Sequence, residues 1–96
     1  MFVIRNVFKC KPGKSKQLAE KFKAAHALMT DLAISPRILV DEVAGFWTVI
    51  VEVEVEDMGE FEKLMSDRAG RDDIQAAMSG YMDLVDGGHR EIFKIV

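Results

Sequence analysis

The chain has 96 residues, of which 49% are hydrophobic and 30% charged, and its net charge is −3. That length suits one domain, 1–96, and that balance excludes a disordered chain. Lysines and arginines are interspersed with acids rather than gathered on one stripe, so neither nucleic acid nor a membrane surface is an expected partner.

No stretch approaches the roughly 20 apolar residues of a membrane span. The start, Met1 to Arg5, lacks a basic segment followed by a long apolar run, so no signal peptide is expected and the cytoplasm is the expected location. Cys10 is the one cysteine. It forms no disulfide within the chain, which fits a reducing compartment.

Residues 2–10 read as a strand, with Phe2, Ile4, Asn6, Phe8 and Cys10 on one face and Val3, Arg5, Val7 and Lys9 on the other. Pro12 and Gly13 break it. Residues 14–33 read as a helix whose apolar stripe is Leu18, Phe22, Ala25, Met29 and Leu32. Ser35-Pro36 ends it, because a residue before proline is biased away from helical angles. Residues 37–43 read as a second strand, Ala44-Gly45 as a short turn, and 46–56 as a third strand, so the second and third form a hairpin. The third strand alternates most clearly, with Trp47, Val49, Val51, Val53 and Val55 on one face and Thr48, Ile50, Glu52 and Glu54 on the other. Asp57 and Glu60 have capping-box spacing before a second helix that carries Phe61, Leu64 and Met65. Residues 67–73 interrupt its stripe, which resumes at Ile74, Ala77 and Met78. Gly80 and then Gly87-Gly88 close that region, and 89–96 read as the last strand.

The order β-α-β-β-α-β predicts an α+β, ferredoxin-like fold: a four-stranded antiparallel sheet with two helices on one face. The first and third strands become central neighbours. The helix-free face then carries Val3, Arg5, Val7, Ile50, Glu52 and Glu54. Arg5 or Lys9 is placed to pair across strands with Glu52 or Glu54. The aliphatic residues there suit a face-to-face homodimer.

Several residues are candidates for chemistry. Asn6 is an amide on an otherwise apolar strand face and needs a hydrogen-bond partner. His89 and Tyr81 sit at the two ends of the final loop region and, with Asn6, are the catalytic candidates. A pocket between the sheet and the second helix would be lined by Asn6, Phe8, Trp47, Met65 and Met78, a composition suited to a small apolar or aromatic ligand. Arg68 and Arg71, at the break in the second helix, could hold an anionic group. His26 reads as a boundary residue beside the helical stripe. Cys10 lacks a neighbouring base. No histidine–carboxylate spacing marks a metal site, and no cofactor motif is present.

The FVIRNVFKCKPGK start, the helix carrying Leu18 and Phe22, the GFWTVIVEVEVEDMGEFEKLM block and the GGHREIFKIV ending together resemble the dimeric α/β barrel superfamily. The likeness is greatest to small NIPSNAP-like and antibiotic-biosynthesis-monooxygenase-like proteins. The resemblance implies a homodimer whose two sheets form a barrel with helices outside. Asn6, with Gly13 after it, is similar in position to an asparagine of the heme-degrading members. Those enzymes also need a Trp and a His on the second helix, where this chain has Leu64 and Ile74, so heme degradation is not expected. Three functions stay open: a small-molecule-binding dimer, a cofactor-independent monooxygenase acting on an aromatic or polyketide-like substrate, and a structural or regulatory dimer without ligand.

Overall fold

The computed structural model describes residues 1–29 and 36–96. In chain order they form β1 (Phe2–Cys10), α1 (Ser15–Ala27), β2 (Arg37–Val40), β3 (Thr48–Val55), α2 (Met58–Ala69), α3 (Asp72–Ala77), a 3-10 turn (Tyr81–Leu84) and β4 (Val85–Lys94). The four strands make one antiparallel sheet in the order β2-β3-β1-β4. This is the expected ferredoxin-like topology. The part of the first predicted helix that covers 30–33, with Leu32, lies outside the described residues.

Strand alternation sets the two faces. Ile4 pairs with Val53, Asn6 with Val51 and Phe8 with Val49 on the side the helices cover. The core there divides in two. One apolar cluster gathers Cys10, Leu18, Phe22, Ala25, Val49, Val51, Ile74 and Met78, while a second gathers Ile4, Val53, Val55 and Phe61. Asn6 stands on β1 between Ile4 of the second cluster and Phe8, which packs on the first.

The second predicted helix is two helices. Asp57 caps α2, its carboxylate accepting from the Glu60 amide at 3.1 Å, while the Glu60 carboxylate accepts from the Glu56 amide at 3.1 Å. This is capping-box logic with the return bond one residue early. α2 then stops at Gly70, a poor helix former. Arg71 is extended, and α3 restarts with Asp72 and Asp73 in its first turn, where the helix dipole favours acids. Arg71 is fastened in place. Its guanidinium donates to Asp73 at 2.9 Å and to the Leu28 carbonyl at the end of α1 at 2.7 Å.

Two boundaries differ from the sequence reading. The hairpin connection is longer than a two-residue turn: Asp41 Oδ1 accepts from the Thr48 amide at 2.8 Å, closing a loop over 42–47. Trp47 therefore leaves the strand before its core face begins. It has a left-handed φ of 59° and is 42% exposed, so it is not the core-facing strand residue that alternation suggested. Its carbonyl instead accepts from the Cys10 amide at 2.8 Å. β4 starts four residues before His89, and Gly87-Gly88 lie inside it rather than closing a turn. Cys10 pairs with Val85 while Lys9 pairs with Gly87, so Asp86 is the extra residue of a β-bulge.

The helix-free face carries an ion triad. Arg5 Nε lies 2.6 Å from Glu52 Oε1, and Arg37 bonds the other Glu52 oxygen. Glu52 is only 3% exposed. The two guanidinium groups, rather than depth, cover it. Val3, Val7 and Ile50 surround the triad, and Leu39 and Phe93 join them by register. The Arg5 guanidinium sits 5.4 Å from the Phe93 ring centre.

Candidate functional site

Where the core divides at Asn6, a cleft of about 670 Å³ opens between the β1–β4 side of the sheet and the α2–α3 segment. That volume is within the usual range of ligand sites, roughly 300–1,000 Å³. Phe8, Phe22, Val51, Met65, Ile74 and Met78 give it an apolar interior, and the 3-10 turn supplies Tyr81 and Met82. The break at Gly70 lets α2 pack on β3 while α3 turns to pack on α1. The bulge at Asp86 and the bare backbone of Gly87 and Gly88 form the β4 margin.

Of the pocket residues expected from sequence, Asn6, Phe8, Met65 and Met78 line this cleft and Trp47 does not. The Asn6 amide has a partner: its Oδ1 accepts from Arg90 Nε at 2.6 Å. Arg90 also lies 4.9 Å from the Phe61 ring centre, so its plane is held from two sides. Sequence reading missed Arg90. It follows from pairing Ile92 with Ile4, because alternation then sets Arg90 beside Asn6.

The catalytic candidates do not converge. Asn6 and Tyr81 line the cleft, but His89 pairs with Val7, a residue of the helix-free face. The His89 imidazole lies 2.9 Å from Glu91, whose register partner is Arg5 on that same face. His89 borders the cleft while its ring is engaged on the other side of the sheet. Cys10 is buried, and burial pushes its thiol pKa up, away from the nucleophilic thiolate. Ile74 and Leu64, the positions compared with the heme-degrading enzymes, are buried apolar residues. Among the described residues, no group of three or more His, Cys, Asp or Glu could hold a metal ion, and no helix is long and apolar enough to cross a membrane.

Arg68 lines the cleft, and His26 stands behind it against Phe22. Burial, with a smaller contribution from the Arg68 charge, lowers the His26 pKa to about 4. Its Nε2 is buried and has no hydrogen-bond partner among the described residues. The ring is therefore neutral at pH 7. Arg5, and then Arg37, hold the Glu52 carboxyl below its ordinary value against the opposing effect of burial. Both groups have depressed folded pKa values, so each contributes stability at high pH that is lost as pH falls. The loss due to His26 begins near its ordinary value of 6.5 and ends near 4. That due to Glu52 begins near 4.5 and continues downward. Urea denaturation across this range is expected to show declining stability in two stages. His26→Leu should flatten the upper stage and Glu52→Gln the lower one. An unchanged upper stage in His26→Leu would remove the histidine as its cause.

The sequence matches no protein-family model and no curated protein. Solved structures do match. An uncharacterized NIPSNAP domain protein from Burkholderia xenovorans superposes with a TM-score of 0.84 at 10% identity, over 100% of this chain and 95% of that one. A NIPSNAP family protein from Agrobacterium tumefaciens gives 0.81 at 13% identity, over 99% and 92%. This chain has their fold. A candidate antibiotic biosynthesis monooxygenase from Chloroflexus aurantiacus shares it too, with a TM-score of 0.72 at 11% identity, over 99% and 92%. The ferredoxin-like architecture is therefore that of the NIPSNAP and monooxygenase-like structures, as the sequence resemblance implied. Identities this low make the likeness one of fold.

Proposed function

We propose that this chain is a small-molecule-binding homodimer that holds an apolar or aromatic ligand in the cleft at Asn6. The observation that carries this reading is the cleft itself: an apolar interior with a few fixed polar groups, opening where Asn6 and Arg90 divide the core. Binding is favoured over oxygenation because His89 is engaged on the opposite sheet face and Trp47 stands outside the cleft. Nile red, a neutral apolar dye, tests it. Its fluorescence should rise on binding to the protein. Ala69→Trp should abolish that rise with the circular dichroism unchanged, because Ala69 is an exposed residue lining the cleft. An equal rise in that variant would place the dye elsewhere and overturn the assignment.

The dimer reading rests on the helix-free face, where Val3, Val7, Ile50 and the 48% exposed Phe93 surround the Arg5–Glu52–Arg37 triad. A second sheet laid on this face would cover those apolar groups, and the triad is already internally neutralised to one excess positive charge. Ile50→Arg adds like charge to that patch. In sedimentation, the native protein should run at twice the chain mass and Ile50→Arg at the chain mass. A native protein at the single mass at micromolar concentration would overturn the dimer.

A further inference from the structure

Two arginines at the helix break read alike in sequence, and the structure separates them. Arg71 is occupied by Asp73 and the Leu28 carbonyl. Arg68, three residues earlier on α2, is half-buried and lines the cleft, and its guanidinium makes no hydrogen bond or ion pair among the described residues. Burial lowers its pKa from the ordinary arginine value, an effect that the neighbouring Tyr81 opposes. An arginine keeps its charge in proteins. A partly desolvated cation without an anion opposite it is costly and would gain from one. The rest of the cleft has the same sign. Arg90 also lines it, and since its one hydrogen bond runs through Nε, its terminal amines remain free among the described residues. Among the described residues Asp86 is the one carboxylate in the lining, on the exposed bulge. The described lining thus carries a net positive charge in a chain whose net charge is −3.

We infer that the ligand of this cleft is an apolar acid, with its carboxylate on Arg68 and its hydrocarbon or aromatic body along Phe8, Phe22, Met65 and Met78. The guanidinium fork matches a carboxylate in two parallel hydrogen bonds, which a neutral head group cannot reproduce. The apolar interior supplies affinity without distinguishing acid from alcohol, so Arg68 would determine specificity. This inference rests on the reading of the cleft as a small-molecule site.

Decanoate and decanol, which share a tail and differ in head-group charge, test it by titration calorimetry at pH 7.5. Decanoate is expected to bind the native protein more tightly by about tenfold to a hundredfold. Arg68→Met should remove that preference, bringing decanoate to no tighter binding than decanol. If Arg68→Met does not fold, Arg68→Gln is read in its place, and the native comparison stands by itself. Equal affinity for both ligands, lost in Ala69→Trp, would overturn the acid inference and leave the cleft reading intact. A decanoate preference that survives loss of the Arg68 charge would overturn the assignment to Arg68. Absence of binding by either ligand, with Nile red still bound in the cleft, would overturn the acid inference, whereas absence of all three would overturn the cleft reading itself.

Discussion

Phe22→Ala is expected to destabilise the protein by about 3–5 kcal/mol and to lower its Tm by more than about 10 °C. Phe22 is 3% exposed and sits on the sheet-facing stripe of α1 with Leu18 and Ala25. Its ring centre lies 5.1 Å from that of Phe8 on β1 and 6.2 Å from that of His26 one turn on. It therefore joins α1 to the central strand and forms part of the cleft wall. Alanine would remove the ring but could not draw α1 inward, because Leu18 and Ala25 already hold the helix against Val49 and Val51. The space left would merge with the cleft, so the lost contacts would not be regained by collapse. Thermal and urea denaturation measure the loss. A change below about 0.5 kcal/mol, the usual size for a surface substitution, would show that Phe22 does not hold α1 to the sheet.

Much of this fold was legible because the sheet is amphipathic in a simple way. The Val49-Val51-Val53-Val55 run announced which face of β3 was buried, and pairing β1 with β3 placed Arg5 or Lys9 opposite Glu52 or Glu54, of which the structure forms Arg5–Glu52. The interruption at 67–73 was visible as a break in helical periodicity, and the structure puts the break at Gly70-Arg71. What escaped were features set by tertiary contacts. Alternation carried the third strand back through Trp47, but the Asp41–Thr48 bonds end the ladder there. The glycines at 87 and 88 read as a terminator because turns are their commonest use.

The site was less legible than the fold. Asn6 was conspicuous as an amide in an apolar row, yet its partner depends on the register of β4, and that register is shifted by the bulge at Asp86. Nothing in the local composition near Asp86 marks a bulge. The same shift fixes the face of His89. An imidazole that looked free to serve a pocket is turned to Glu91 on the far side of the sheet. Arg68 and Arg71 could be told apart only by what lies across from them, which spacing along one helix does not contain.

The adjacent glycines of β4 give opposite predictions. A Cβ added at Gly88 would lie 2.5 Å from the Val7 carbonyl oxygen and 3.5 Å from the Phe8 Cα, both backbone atoms of the central strand. No rotamer change relieves such a contact. β1 and β4 would have to move apart where Phe8 pairs with Gly88, and the ladder bonds on either side would stretch. Gly88→Ala is therefore expected to destabilise by about 1–3 kcal/mol or more, as overpacking does, and to disturb the cleft margin that Gly88 forms. A Cβ at Gly87 meets nothing within 4 Å. Its φ is not in the left-handed range, so alanine there would only restrict the unfolded chain, and Gly87→Ala should be neutral or stabilising by up to about 1 kcal/mol. Urea denaturation of the two single variants makes the comparison internal, since they share composition, strand and solvent. Equal stability changes would show that glycine is used here for ordinary strand flexibility. A large loss confined to Gly88→Ala would show that its missing side chain lets β4 approach β1 closely enough to seat Arg90 beside Asn6.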